Sequence, residues 1–107
     1  MSPASVPEYL YLTTIGWKTG KPHEIEIWFT ELEGRFYLIS ELGQRAHWVQ
    51  NVERQSEVSF RVGRRTYRGT GRVVDPQRDP ESHARACQLS IQKYGWGEGL
   101  VVELRRD

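Results

Sequence analysis

The stretch TTIGWKTGKPHEIEIWF, residues 13–29, joins two strand-like runs through an unusually long connection. Residues 9–14 alternate in hydrophobicity before it, and HEIEIWFTEL resumes the alternation after it, with Ile25, Ile27 and Phe29 on one face. A hairpin needs only about two to five turn residues, whereas this connection spends about eight, from Gly16 to His23. We therefore predict an antiparallel strand pair whose loop is built to hold a ligand.

Further strands and one short helix follow along the chain. Glu33-Gly34 is a tight-turn signal before RFYLIS, so this run and HEIEIWFTEL are predicted to pair as a hairpin. RAHWVQNVER, residues 45–54, changes to three-residue spacing of Ala46, Val49 and Val52, which predicts a short helix. SEVSFRV and RTYRGTGRVV form a second predicted hairpin, and GLVVELRRD is the last strand.

The clearest helix signal lies in DPESHARACQLSIQKYG, residues 79–95. Asp79 is the predicted N-cap, Pro80 the first helical residue and Gly95 the C-terminal stop. The chain thus has about six antiparallel strands and two helices, which favours a small, mainly β barrel of the α+β class. The predicted inward stripe of this helix consists of Ala84, Cys87, Ile91 and Tyr94.

Composition limits the classes of function. The 107 residues suit one domain, residues 9–107, after a flexible lead-in at residues 1–8 that contains two prolines. The net charge of +1 is too small to attract nucleic acid or an anionic membrane through the overall electrostatic field of the protein. No apolar run approaches a membrane span of about 18 residues, and no signal layout is present, so we expect a cytoplasmic protein. Cys87, the one cysteine, is predicted to be a small buried helix residue.

Two loops carry residues suited to an anion. In the first, Gly16 and Gly20 permit a tight backbone while Lys18, Thr19 and Lys21 add donors. The alternative is a long, basic, solvent-exposed turn. In the second, SELGQRAHWVQN (residues 40–51), a glycine loop leads into a helix start, where a cation such as Arg45 is otherwise disfavoured. The alternative there is an exposed arginine beside a packed Trp48; if the loops share one end of the barrel, they form one site.

The remaining candidates have weaker signals. The three histidines have no metal-ligand spacing, so we expect no metal site. Glu24 and Glu26 share a strand face and are predicted to be outward charges. The glycine-rich turn around Trp96 either walls a pocket for a flat ligand or plugs the barrel. A cluster of five arginines is the best argument for a nucleic-acid surface, although we expect these residues to be ordinary exposed charges on strands. The cluster consists of Arg61, Arg64, Arg65, Arg68 and Arg72.

Two signatures in order resemble those of a known family. LTTIGWKTGKPHEIEIWF, residues 12–29, is similar to the opening signature of the deazaflavin-dependent nitroreductases, which are flavin- and deazaflavin-binding split β-barrel oxidoreductases. YLISELGQRAHWVQNV, residues 37–52, resembles the second signature of that family, in which a Trp and an Asn lie three residues apart on a helix. The resemblance covers residues 9–104 and implies a homodimeric split barrel that binds deazaflavin coenzyme F-420 in a groove.

The resemblance also implies roles for particular residues. Asn51 would brace the helix, and Tyr94 is a candidate proton donor or pocket wall. This chain departs from the family at Trp17, where an arginine is usual, and at Glu41, where a lysine is common. The implied cofactor-binding residues are Lys18, Thr19, Gly20, Pro22, His23, Trp28, Ser40, Arg45, Ala46, His47 and Trp48.

The function that follows is a deazaflavin-dependent reductase. The cofactor would carry a hydride to a flat acceptor such as a quinone, a nitroaromatic or an enone, while the protein supplies position and electrostatics. FMN is the alternative cofactor, and haem is a further alternative because other split barrels bind it. A different class of function is a non-catalytic barrel that presents the cluster at residues 61–72 to nucleic acid.

Overall fold

The computed structural model describes residues 8–107, and this range contains seven β-strands and two α-helices. A short 3-10 turn, Gly43–Arg45, precedes the first helix. The predicted lead-in, residues 1–8, lies outside the described residues apart from Glu8. The elements are β1 (Tyr9–Ile15), β2 (Pro22–Trp28), β3 (Thr30–Leu32), β4 (Arg35–Ser40), α1 (His47–Arg54), β5 (Glu57–Val62), β6 (Arg65–Val74), α2 (Pro80–Tyr94) and β7 (Leu100–Arg106).

One antiparallel sheet contains all the described strands, in the order β2-β1-β5-β6-β7-β4-β3. Its two edge strands, β2 and β3, follow one another in the chain with only Phe29 between them. The sheet therefore curls until its two edges are joined by continuous backbone. Because β3 pairs only with residues 35–37 of β4, the barrel stays open between β2 and the second half of β4. This opening confirms the predicted mainly β, α+β split barrel.

The structure has seven strands where about six were predicted, since HEIEIWFTEL breaks at Phe29. The Phe29 side chain is buried, and its backbone bonds to α2 instead of to a neighbouring strand. The Tyr94 hydroxyl accepts a hydrogen bond from the Phe29 N–H (3.0 Å) and donates to the Phe29 carbonyl (2.7 Å). The predicted hairpin with RFYLIS consequently holds only for β3, whereas β2 pairs with β1.

Helix α1 packs against the hydrophobic interior of the barrel. Val49 and Val52 pack in the main core with barrel residues such as Leu12 and Phe60, and the predicted inward residue Ala46 is buried as well. Gly71 of β6 makes room for the helix, because a Cβ there would lie 3.1 Å from Val52 Cγ1. Full burial of a valine side chain stabilises the fold by about 1.5–3 kcal/mol, so these two residues fix α1 at the open side of the barrel.

Helix α2 covers part of the outer face of the sheet. Its predicted ends are confirmed: the Asp79 carboxylate caps it by accepting from the Ser82 N–H (3.2 Å), and Gly95 ends it in the left-handed conformation at φ 78°. The predicted inward stripe was partly wrong, because Ala84 and Ile91 are exposed. Small Ala86 and Ser90, four residues apart, form the contact face because they allow the helix to approach the sheet closely. Neither described helix is long and apolar enough to cross a membrane.

Candidate functional site

A groove of about 1310 Å³ follows the open side of the barrel. The loop between β1 and β2, strand β2, the end of β4 and the start of α1 form its walls. The two loops that the sequence marked separately therefore meet in one cavity. The predicted cofactor-binding residues that line it are Lys18, Thr19, His23, Trp28, Ser40, Arg45, Ala46, His47 and Trp48, whereas Gly20 and Pro22 do not.

The loop between β1 and β2 is shorter than predicted. It spans residues 16–21, because Pro22 and His23 already belong to β2, opposite Ile15 and Thr14 of β1. Backbone hydrogen bonds from Gly16 N–H to the Lys21 carbonyl (2.8 Å) and from Gly20 N–H to the Gly16 carbonyl (2.7 Å) close it tightly.

Two adjacent backbone N–H groups at the loop tip are available to donate hydrogen bonds to a ligand. Within the described residues, the N–H groups of Lys18 and Thr19 make no hydrogen bond, whereas the other four amides of the loop do. The Thr19 hydroxyl accepts from the Lys21 N–H (3.2 Å), so its own hydrogen can still be donated. Two backbone donors, a hydroxyl and a lysine ammonium on one tip form a donor set suited to a phosphate.

Gly16 allows the loop to close over His23. A Cβ at residue 16 would lie 2.7 Å from Thr19 Oγ1 and 2.9 Å from His23 Nε2, closer than real Cβ contacts. A side chain at this position would therefore push the Thr19 and His23 side chains away from the wall of the groove.

Asn51 connects the loop to helix α1. Its amide nitrogen donates to the Thr14 hydroxyl (3.0 Å), and its carbonyl oxygen accepts from the Trp17 N–H (3.2 Å). Both side chains are almost fully buried, at 6% exposure for Asn51 and 1% for Thr14. The two walls of the groove thus hold a fixed relative position.

Sequence reasoning missed the surroundings of Trp17. The guanidinium of Arg54 lies 4.7 Å from the centre of the Trp17 ring, and the Lys18 ammonium lies 5.0 Å from it. The indole N–H also reaches the Gln50 side-chain oxygen at 3.4 Å. Cation–π contacts of this kind stabilise by about 0.5–1 kcal/mol when exposed. No local pattern predicts a contact across more than thirty residues; the departure from the family at Trp17 was the one available signal.

The start of α1 forms the opposite wall. Arg45 ends the 3-10 turn and the helix begins at His47, so Arg45 precedes the first turn in which the sequence placed it. Ala46 is the N-cap and offers no side-chain acceptor, which leaves the first amides of the helix without a cap. The Ser40 hydroxyl donates to the Gly43 carbonyl (3.0 Å) and holds the approach to the helix.

Aromatic side chains form the far end of the groove. Trp28 lies parallel to the Tyr94 ring, with centroids 4.3 Å apart and an interplanar angle of 3°, and Trp96 meets Trp28 edge-on at 6.2 Å. Trp96 lines the groove, which supports the wall alternative for its glycine-rich turn. Gly97 permits this turn, because a Cβ there would clash with the Cys87 carbonyl of α2.

Tyr94 itself does not line the groove. Its hydroxyl is engaged by the backbone of Phe29 and by the Glu8 carbonyl (2.6 Å). Burial raises the pKa of Tyr94 to about 12, although the hydrogen bond with Phe29 opposes that rise. The geometry therefore favours Tyr94 as the support behind Trp28 and gives no support to Tyr94 as a proton donor.

The arginine cluster is divided by contacts on the outer face of the sheet. Arg72 pairs with the fully buried Glu103 (2.9 Å) and with Asp79 (3.0 Å), and Arg61 lies 4.3 Å from the Tyr11 ring centre. Part of the positive charge is thus already compensated, which weakens the case for a nucleic-acid surface. No group of three potential metal ligands lies together in residues 8–107.

A family model described as F420H(2)-dependent quinone reductase matches residues 3–96. The chain belongs to this family. The predicted resemblance is thereby confirmed for deazaflavin-dependent split-barrel reductases, with quinone reductase in place of nitroreductase as the matching description. Among curated proteins, no sequence matches this chain.

Solved structures share the fold at low sequence identity. A structure described as an F420-H2 dependent reductase (FDR-A) is similar with a TM-score of 0.75 and 21% identity, over 92% of this chain and 94% of that one. The haem storage protein HutZ from Vibrio cholerae has a TM-score of 0.77 and 15% identity, over 94% and 82% of the chains. General Stress Protein 26 from Bacillus anthracis has a TM-score of 0.72 and 14% identity, over 96% and 82%. These similarities establish the split-barrel fold.

Proposed function

We propose that this chain is a reductase that uses deazaflavin coenzyme F-420 to reduce a flat acceptor such as a quinone, a nitroaromatic or an enone. The observation that carries the proposal is one groove that joins an anion-binding loop tip to an aromatic wall, in a chain that belongs to the F420H(2)-dependent quinone reductase family. FMN and haem are the alternative occupants of the same groove.

The residues present fit a flat cofactor with a phosphate-bearing tail. The amides of Lys18 and Thr19, the Lys18 ammonium and the Arg45 guanidinium would hold the phosphate, with the uncapped start of α1 beside them. His23, His47 and Trp48 would lie along the tail and the ring system. When bound, the reduced deazaflavin supplies the hydride. The chain positions the two reactants and excludes water between them.

We further propose that the protein acts as a homodimer. One of the similar structures is described as a domain-swapped dimer. In this chain Ile91 on α2 is 53% exposed, so an apolar side chain remains for a partner to cover. Light scattering coupled to size-exclusion chromatography tests this, and a monomer at concentrations well above those used in assays would refute it.

The test of the cofactor is a titration of the intrinsic tryptophan fluorescence with oxidised F-420. We expect saturable quenching, because Trp28 and Trp48 line the groove. In the Lys18→Ala variant the dissociation constant should rise by about tenfold or more, as expected from the loss of a charge-assisted hydrogen bond of about 1.5–3 kcal/mol. Lys21→Ala is the matched control, since Lys21 belongs to the same loop but does not line the groove.

Parallel titrations with FMN and with haem distinguish the cofactors. Tight binding of FMN or haem in the absence of F-420 binding would overturn the deazaflavin proposal. An equal effect of Lys18→Ala and Lys21→Ala would remove the phosphate role of Lys18 while leaving the identity of the cofactor untouched.

A further inference from the structure

The charges of the groove are separated along strand β2. Lys18 lines the groove from the loop between β1 and β2 and Arg45 from the 3-10 turn before α1, whereas Glu24 and Glu26 line it from β2, between the loop and Trp28. Alternate residues of a strand share a face, so these two carboxylates and the indole project to the same side. At about 3.3 Å per residue, Glu26 lies roughly 13 Å and Trp28 roughly 20 Å along the strand from Pro22 at the loop end.

The far end offers a rigid surface for a flat molecule. Tyr94 supports Trp28 from behind in a parallel stack, and Trp96 fixes its edge. Tyr9, the register partner of Trp28 on β1, also lines the groove. The exposed fractions are 36% for Trp28 and 38% for Tyr9, so both remain accessible in the described chain. The faces of such rings attract cations.

Positive charge is scarce at this end. Among the described residues that line the groove, Lys18 and Arg45 provide the lysine and arginine side chains; Lys18 belongs to the loop between β1 and β2 and Arg45 to the 3-10 turn before α1, so neither lies on the strand that carries Trp28. Lys93 lies 5.0 Å from the Tyr94 ring centre, but its ammonium donates to the Phe29 carbonyl (2.9 Å) and it does not line the groove.

The two carboxylates are both exposed, and Glu26 has a neighbour that fixes its position. The Tyr11 hydroxyl on β1 donates to Glu26 Oε2 at 2.7 Å, and Arg61 on the adjacent strand β5 lies over the Tyr11 ring. Arg61 offsets part of the Glu26 charge, whereas no ion pair involves Glu24 within the described residues. An acidic wall next to an aromatic surface is the combination that recognises a flat cation.

We propose that the Trp28 end of the groove binds the flat acceptor and prefers acceptors with a positive charge over anionic analogues of the same ring system. This inference rests on the proposed reductase function and specifies its substrate class. The site would thus accept quinones with a basic substituent better than sulfonated or carboxylated ones, while the opposite end of the same groove holds the anionic tail of the cofactor.

The experiment compares three 1,4-naphthoquinones that carry a trimethylammonium group, no charged group or a sulfonate. Their binding to the protein is measured by equilibrium dialysis, and their reduction is measured as kcat/KM with reduced F-420. We expect the cationic quinone to bind about tenfold more tightly than the sulfonate, from cation–π and carboxylate contacts together. The affinity of the neutral quinone should lie between those of the other two, and a higher salt concentration should reduce the difference in affinity between the cationic and the anionic quinone.

The double variant Glu24→Gln/Glu26→Gln tests the source of this preference. Glutamine keeps an acceptor for the Tyr11 hydroxyl but removes the charge, so we expect the cationic and anionic quinones to bind within about twofold of each other. Glu57→Gln is the matched control, because Glu57 is an exposed strand carboxylate that does not line the groove. This control should keep the wild-type ratio.

Equal binding of the cationic and anionic quinones by the wild-type protein would overturn the inference, as would a preference that survives in the double variant. Failure of the proposed function has a different signature, namely no binding of F-420 in the fluorescence titration. Because dialysis measures quinone binding without turnover, the charge preference is decided in either case.

Discussion

Asn51 shows how a single buried side chain sets the shape of the groove. It satisfies the hydroxyl of Thr14 on β1 and the amide of Trp17 in the loop, although it belongs to α1. Both partners are polar groups that would otherwise be left without a hydrogen bond at a poorly solvated position. The position of the loop between β1 and β2 therefore depends on this amide.

Asn51→Ala should lower the free energy of unfolding by about 1–3 kcal/mol, because it leaves the Thr14 hydroxyl and the Trp17 amide unpaired. Urea denaturation measures the change. Gln55→Ala is the control, since Gln55 is exposed at the end of the same helix, and it should change stability by less than about 0.5 kcal/mol. Equal losses in the two variants would show that Asn51 has no special role in joining the loop to the helix.

The break between β2 and β3 is the decisive feature at the scale of elements. Phe29 follows the last residue of β2, and its backbone groups pair with the Tyr94 hydroxyl and the Lys93 ammonium on α2. Helix α2 thereby takes the place of a neighbouring strand at the point where the chain crosses from one edge of the sheet to the other. The opening of the barrel, and so the groove, depends on this contact.

Tyr94→Phe should destabilise the protein by about 1–3 kcal/mol, since the Phe29 N–H loses its partner. Cofactor affinity and the rate of hydride transfer should stay within about twofold, because the Trp28–Tyr94 stack is retained. Tyr67→Phe is the control, as no hydrogen bond of the Tyr67 hydroxyl is present among the described residues. A large loss of hydride transfer with unchanged stability would instead establish Tyr94 as a catalytic residue.

At the scale of the whole molecule, Glu103 links three neighbouring strands on the outer face of the barrel. Its carboxylate is fully buried on β7 and bonds to Arg72 of β6 (2.9 Å) and Arg105 (3.1 Å), with Arg35 of β4 at 3.8 Å. Burial by itself raises the pKa of Glu103, but the hydrogen bonds and charges of Arg72 and Arg105 outweigh it and hold the pKa below its ordinary value. The neighbouring strands β6, β7 and β4 are thus joined by a charge network as well as by backbone pairing.

Stability should therefore fall in acid. A carboxyl group whose pKa is lower in the folded state contributes stability above its unfolded pKa, and this contribution disappears as the pH falls through the folded pKa. For Glu103 the loss should begin near pH 4.5, its ordinary value. Urea denaturation from about pH 7 to about pH 3 measures it. Glu103→Gln should be less stable at neutral pH with a shallower acid slope, whereas Glu57→Gln should keep the wild-type slope.

Part of the candidate site could be predicted because it is encoded locally. Glycine, lysine and threonine within one loop, and a glycine loop before a helix, are properties of neighbouring residues, so the sequence alone singled out Lys18, Thr19 and Arg45, which line the groove. Contacts between distant segments have no local signal. The Trp17–Arg54 contact and the support of Trp28 by Tyr94 belong to this class. The catalytic role of Tyr94 stays a prediction for the same reason, since a tyrosine in a sequence does not reveal what its hydroxyl bonds to.

The sequence by itself determined most of the strands, the two helices, the cap and the stop of α2, and the α+β barrel class. These follow from hydrophobic period and backbone preference, which act within a few residues. The tertiary structure alone decided where the strand at Phe29 breaks, which face of α2 is buried and how the two loops join into one groove. Each of these depends on packing between segments far apart in the chain, where burial and the pairing of polar groups override local preference.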